Sequence, residues 1–248
     1  MMFDPGDRAR IRDELLDAAR ADADITGAAL VGSAARGAED RWSDIDLVLQ
    51  LDRGAHEPTV VERWTAALRD RHGIADTLDV FAAGDVRYRV FLLPTSLQID
   101  VSFWPHDLFR ATEEGFALQF GTAAAPTRAP DPEVRRMIGM GWLYALHARS
   151  ALARGKVWQA AMMLDDLRDE IVALQCLRAG VNPWHGRDVD RLDAASLRLL
   201  EQARADSLRP DELERSKRAL LALFHDEVRA HDTALADALS PALSALTE

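Results

Sequence analysis

The chain has 248 residues, 48% hydrophobic and 29% charged, enough for one large domain or two modest ones that each bury a core. No apolar run reaches the ~20 residues a membrane span needs, and a single cysteine, Cys176, excludes an intrachain disulfide or a cysteine-rich zinc site. The formal charge of −11, with 22 acids against 14 bases in residues 1–130, disfavours a nucleic-acid partner, which needs a basic face to displace counterions, and suits a cationic small molecule.

In chain order, the opening Met1-Met2-Phe3-Asp4 carries an acid where a secretory leader carries bases, and a cytoplasmic protein is expected. Ile11, Leu15, Leu16 and Ala19 recur at helical spacing within Asp7–Ala21. Ala28-Ala29-Leu30-Val31 reads as a strand ending at Gly32, and Ala34-Ala35-Arg36-Gly37 as a short helical turn. Ser43–Leu51 reads as a second strand, with Ile45, Leu47 and Leu49 on one face and Asp44, Asp46 and Val48 on the other. Glu57–His72 has a helical stripe of Val60, Val61, Trp64, Ala67 and Leu68. Strands follow at Leu78–Phe81, Val86–Leu93 and Leu97–Trp104, the last two joined as a hairpin by Pro94-Thr95-Ser96. Strands beside helices without strict alternation predict a mixed sheet in an α+β domain.

Thr122–Pro132, with Ala123-Ala124-Ala125-Pro126 and Ala129-Pro130-Asp131-Pro132, reads as a breaker-rich linker. Beyond it, Val134–Ala153, Val157–Ala179, Ala194–Ala205 and Asp211–Ala238 are expected helices, with Gly155 and Gly180 as helix-ending glycines. The expected division is a sheet-containing domain at 1–127 followed by an all-α helical bundle at 128–248.

Asp44 and Asp46 carry the sharpest chemistry. On a strand, residues i and i+2 share a face about 7 Å apart. Two carboxylates there repel, and a divalent cation relieves them; magnesium is commonly held by one or two carboxylates plus substrate phosphates. A polar, solvent-facing strand is the plainer reading of Asp-X-Asp alone. Gly32-Ser33, however, precedes the pair by about a dozen residues, and a glycine-serine turn at a helix start lets phosphate approach backbone donors. Asp100 shares a strand face with Gln98 and Ser102. Should that strand lie beside Ser43–Leu51, three carboxylates could hold two metal ions ~3.5–4 Å apart, the clamp of a phosphoryl displacement. Asp100 is also placed for a general base. An edge-strand acid is its plainer alternative.

The assembled pattern is a strand, Gly32-Ser33, Arg36-Gly37, Ser43-Asp44-Ile45-Asp46-Leu47 and Asp100 on a later strand. It closely resembles the nucleotidyltransferase superfamily that includes DNA polymerase beta and the antibiotic nucleotidyltransferases, over about the first 120 residues. Leu97–Trp104 through Leu118-Gln119-Phe120-Gly121 looks like the matching stretch of aminoglycoside adenylyltransferases, which carry a glutamate where Asp100 stands. The resemblance implies two Mg2+ ions on Asp44, Asp46 and Asp100, and ATP or another nucleoside triphosphate contacted by Gly32, Ser33, Arg36 and Ser43. It further implies transfer of a nucleoside monophosphate to a hydroxyl of a small acceptor such as an aminoglycoside, by a monomer or homodimer that binds neither nucleic acid nor membrane. A protein- or tRNA-modifying enzyme of the toxin–antitoxin kind and a non-catalytic nucleotide-binding regulator are the alternatives.

Lys156 opens a helix and Arg168 lies on roughly the same side, twelve residues being about three and a third turns. By the resemblance this basic pair meets the β- and γ-phosphates. A solvated helix end and a local ion pair of Arg168 with Asp165 or Glu170 are the competing readings. Asp165, Asp166, Asp169 and Glu170 make this helix acidic, able to hold a polyamine or supply another base, or simply wet. Trp142, Trp158 and Trp184 read as core or inter-domain packing rather than a sugar-stacking platform, and His106 has only a minor claim to chemistry.

Overall fold

The computed structural model describes residues 3–82, 86–112, 115–127 and 132–247. The chain divides into two compact units, Met1–Pro130 and Asp131–Glu248. Of the expected linker, Arg128-Ala129-Pro130-Asp131 lie outside the described residues.

The first unit opens with α1 (Pro5–Ala21), started by the Asp4 carboxylate, which accepts the backbone N–H of Asp7 at 2.8 Å. Its buried stripe is Arg8, Ile11, Leu15, Leu16 and Ala19. There follow β1 (Ile25–Leu30), the one-turn α2 (Gly32–Ala35), β2 (Ile45–Leu51), α3 (Glu57–His72), β3 (Asp76–Ala82), β4 (Val86–Leu92), β5 (Gln98–Trp104) and β6 (Ala117–Phe120). Among the described residues these six strands form one sheet in the order β3-β4-β5-β2-β1-β6. β2 and β5 run parallel at its centre, and every other pairing is antiparallel, so the sheet is mixed as expected. β4 and β5 form the predicted hairpin.

Alternation divides each strand between the main core and the opposite face of the sheet. Ile45, Leu47 and Leu49 of β2 join Ile99, Val101 and Phe103 of β5 in one core with Ile11, Leu15 and Ala19 of α1 and Val60, Val61, Trp64 and Leu68 of α3. Each large side chain buried there contributes roughly 1.5–3 kcal/mol. The even-numbered residues of β2 and β5 therefore point to the opposite face of the sheet.

Helices α4 (Val134–Ala153), α5 (Val157–Ala179), α6 (Ala194–Ala203), α7 (Pro210–His231) and α8 (Thr233–Ser244) make the second unit. Ala145, Ala148, Ala151 and Ala160 sit in its core with Leu164, Leu167, Ile171 and Phe224, small residues that allow close helix approach. Gly155 and Gly180 have φ of 67° and 68°, the left-handed turn that closes α4 and α5.

The sequence pattern fails here in two places. The single helix expected over Asp211–Ala238 is two, because Asp232 leaves helical geometry (φ −154°, ψ 99°) and its carboxylate accepts Leu235 N–H at 2.9 Å, capping α8. Trp142 packs partly buried as expected, but Trp158 and Trp184 are 70% and 64% exposed. No helix among the described residues is long and apolar enough to cross a membrane.

Candidate active site

Parallel pairing of β2 with β5 sets Asp46 directly across from Asp100, flanked by the Ile45–Ile99 and Leu47–Val101 pairs. The flanking residues are core, so both aspartates occupy the opposite face. Asp44 lies one residue before β2, off the strand on which the sequence placed it, and still reaches the same point. One carboxylate oxygen from each of Asp44, Asp46 and Asp100 lies within 4.8 Å of the others, and all three residues are half-buried.

Two unit charges ~5 Å apart repel by roughly 3 kcal/mol at an effective dielectric near 20, so three such pairs make a costly cluster unless a cation or a proton intervenes. The Asp100 carboxyl responds: burial, with the Asp44 charge adding to it, pushes its pKa above the ordinary aspartate value, partly offset by Gln98. The Gln98 side-chain amide donates to both Asp100 oxygens, at 3.0 and 3.1 Å. An all-carboxylate oxygen set of this kind suits a hard divalent cation such as Mg2+.

Gly32 begins α2 beside these acids with φ +61°, and a Cβ built on it would lie 2.0 Å from Asp46 Oδ2. Glycine is required there because the carboxylate occupies the space a side chain would take. The neighbouring Ser33 Oγ is shielded from solvent and has no hydrogen-bond partner among the described residues. A buried hydroxyl normally finds one, so this donor suits a phosphate oxygen entering the turn.

The remaining predicted contacts are placed differently. The Ser43 hydroxyl is engaged locally, accepting Asp40 N–H at 2.9 Å and donating to Asp40 Oδ1 at 3.1 Å. Arg36 ends α2 and is exposed. Lys156 and Arg168 belong to the second unit. Lys156 is the exposed N-cap of α5, and Arg168 pairs with Asp165 at 2.6 Å and Asp169 at 3.2 Å, the local ion pair weighed as the competing reading. On the same acidic helix, burial and neighbouring carboxylates raise the pKa of Asp166, while for Glu170 burial raises it and Arg136 partly opposes. His106 sits in a 3-10 turn, its Nδ1 3.5 Å from Thr26 Oγ1 and its carbonyl accepting from Gln50. Gln50 is four residues along β2 from Asp46, about 13 Å at the strand rise.

Two residues with no assigned role in the sequence reading touch this site. Gln98 was visible as the same-face neighbour of Asp100, two residues earlier on β5. Arg8 was not, because it reaches the Asp44 loop from a helix more than thirty positions away.

Residues 10–103 match the nucleotidyltransferase domain family model. No curated protein matches the chain. Among solved structures, an aminoglycoside 6-adenyltransferase from Bacillus subtilis is similar over 94% of this chain and 96% of its own, at 14% identity and a TM-score of 0.41, a likeness too distant to bear on substrate.

Proposed function

We propose that this chain, whose residues 10–103 carry a nucleotidyltransferase domain, transfers AMP from ATP to a hydroxyl of a small, cationic acceptor such as an aminoglycoside. Asp44, Asp46 and Asp100 would hold two magnesium ions. Bound there, the metals supply charge neutralisation for the triphosphate and for the attacking and leaving oxygens.

The chain's own residues then divide the work. Gly32 keeps the turn open for close approach of phosphate, and Ser33 Oγ donates to a phosphate oxygen. Arg36 adds positive charge at the end of that turn, and Ser43 braces the loop leading to Asp44. The acceptor oxygen forms a bond to the α-phosphorus as the bond from that phosphorus to the bridging oxygen breaks, and pyrophosphate leaves. Asp100 would either share one of the metals or take the acceptor's proton. The helical unit, 128–248, is proposed to bind substrate and nucleotide, and its Lys156 and Arg168 would meet the β- and γ-phosphates; Arg168 would first have to exchange its Asp165 and Asp169 partners. Dependence on ATP and magnesium fits a cytoplasmic setting.

What supports this reading most is one observation: three carboxylates meet within 4.8 Å beside a glycine position that only a bare Cα can fill and a buried serine hydroxyl with no partner among the described residues. The test is pyrophosphate release with Mg2+, each of the four nucleoside triphosphates and a panel of aminoglycosides and other polyhydroxylated amines. Release with ATP that needs both Mg2+ and one acceptor is expected. Label from ATP appearing on a protein or tRNA in a lysate instead would overturn the small-acceptor assignment.

A further inference from the structure

We infer that Arg8, on the first helix, is a positioning residue for Asp44, fastening the loop that delivers this acid to the metal; the inference rests on the reading of Asp44, Asp46 and Asp100 as metal ligands.

The three acids are not held alike. Asp46 and Asp100 sit within the β2–β5 ladder, paired to each other, and the Asp46 carbonyl also accepts Val31 N–H at 3.2 Å. Asp44 has no such support. The ladder begins at Ile45, and the stretch from Arg36 to Asp44 between α2 and β2 contains neither helix nor strand. Its geometry must come from elsewhere.

Arg8 supplies it. Its side chain crosses from α1 and donates through Nη1 to the carbonyls of Asp40 and, at 3.3 Å, of Ser43, the residue immediately before Asp44. Its Nε faces the Glu39 carboxylate at 3.2 Å, and Arg12, one turn on, binds the other Glu39 oxygen at 2.7 Å. The loop is thus tied to α1 at residues 39, 40 and 43. Within it, the Asp40 carboxylate takes the Trp42 N–H at 2.8 Å and the Ser43 hydroxyl at 3.1 Å, closing a compact turn on which those ties act.

The placement of Arg8 argues against a purely structural role. It occupies the first position of the buried stripe that continues with Ile11, Leu15 and Ala19, and is only 5% exposed. A leucine or methionine fits such a position without desolvating a charge. Buried ion pairs replaced by apolar residues of similar volume are often neutral or stabilising. What an apolar residue cannot do is donate to two loop carbonyls at once while its charge faces the Glu39 carboxylate, as this guanidinium does.

The experiment measures Mn2+ binding to the full chain in the presence of α,β-methylene ATP, by the loss of free Mn2+ signal in electron paramagnetic resonance, with circular dichroism and thermal midpoints alongside. The variants are Arg8→Met, Arg8→Met with Glu39→Gln, Arg8→Lys, Asp44→Asn, and Arg63→Met as a control that loses the surface ion pairs to Asp22 and Asp24 without touching the loop. The double variant removes the Glu39 charge that Arg8→Met alone would leave poorly matched, and circular dichroism identifies the variants that fold. Expected is at least a tenfold weaker Mn2+ affinity in the Arg8→Met forms, an intermediate value for Arg8→Lys, no change for Arg63→Met, and faster amide exchange at residues 38–44 in the Arg8→Met forms. Folded Arg8 variants that bind Mn2+ as tightly as the wild type would overturn the inference alone. A wild type that binds no Mn2+, or binds it undiminished after Asp44→Asn, would overturn the metal reading itself.

Discussion

Gly32→Ala is the smallest change that addresses the candidate site. The added Cβ would be built 2.0 Å from Asp46 Oδ2 and 3.0 Å from its Cγ. Because real Cβ contacts essentially never fall below 3.0 Å, the carboxylate must retreat by about 1 Å or more. The backbone at φ +61° adds a cost of roughly 1–2 kcal/mol for a residue with a side chain. A displacement of about 1 Å in a reacting constellation costs on the order of 10²-fold in rate. The thermal midpoint should fall by only a few degrees, since 1 kcal/mol moves it by roughly 2–8 °C in domains of this size. The assay is pyrophosphate release at saturating ATP and Mg2+, with whichever acceptor gives fastest wild-type turnover, and a melting curve on the same sample. Activity within about threefold of wild type in a folded Gly32→Ala protein would refute the idea that this glycine makes room for a catalytic Asp46.

Three further outcomes are expected. Asp100 carries a pKa raised by burial, so the folded state binds its proton more tightly than the unfolded chain does; its ionisation costs stability as pH rises above the ordinary aspartate value of 3.8, and the cost persists at neutral pH. Asp100→Asn should therefore raise the midpoint of the metal-free protein at pH 7 and lose that advantage as pH falls toward 3.8, while slowing turnover by about 10²–10⁴-fold; an unchanged midpoint at pH 7 would count against the buried-charge account. Asp232→Ala removes the carboxylate that caps α8 and should cost about 1 kcal/mol in denaturant melts, with ATP turnover untouched. Lys156→Ala and Arg168→Ala each should raise KM for ATP severalfold with stability changes below ~1 kcal/mol, because Lys156 is exposed and the partners of Arg168 are exposed acids; unchanged KM values in both would remove them from the nucleotide site.

Much of the fold was legible because burial follows period. The stripes of Glu57–His72, Val134–Ala153 and Val157–Ala179 gave helices with the bounds that the structure has, and alternation in Ile45–Leu51 and Gln98–Trp104 told which side chains share a face. That Asp46 pairs with Asp100 was not legible. Parity selects a face, whereas register across a parallel pair depends on the intervening α3 and the β3–β4 hairpin. The break at Asp232 was hidden in a long amphipathic run, where an aspartate before Thr233 reads equally as a polar surface position or a cap. β6 was missed because four residues, Ala117–Phe120, at the edge of the sheet leave too short a pattern. Trp158 and Trp184 were misplaced by treating size as burial, although tryptophan is seldom fully enclosed. Arg8 left a trace that could have been used: an arginine in register with Ile11, Leu15 and Ala19 must either be paired inside or disrupt the helix's buried face.

The central claim is that Asp44, Asp46 and Asp100 share a divalent metal next to Gly32 and Ser33. Anomalous diffraction from crystals grown with Mn2+ and α,β-methylene ATP tests it directly. The account predicts manganese peaks within about 2.0–2.4 Å of oxygens from all three carboxylates, with the triphosphate against the Gly32-Ser33 turn. Manganese bound elsewhere, or the nucleotide seated away from that turn while the three acids stay metal-free, would contradict it.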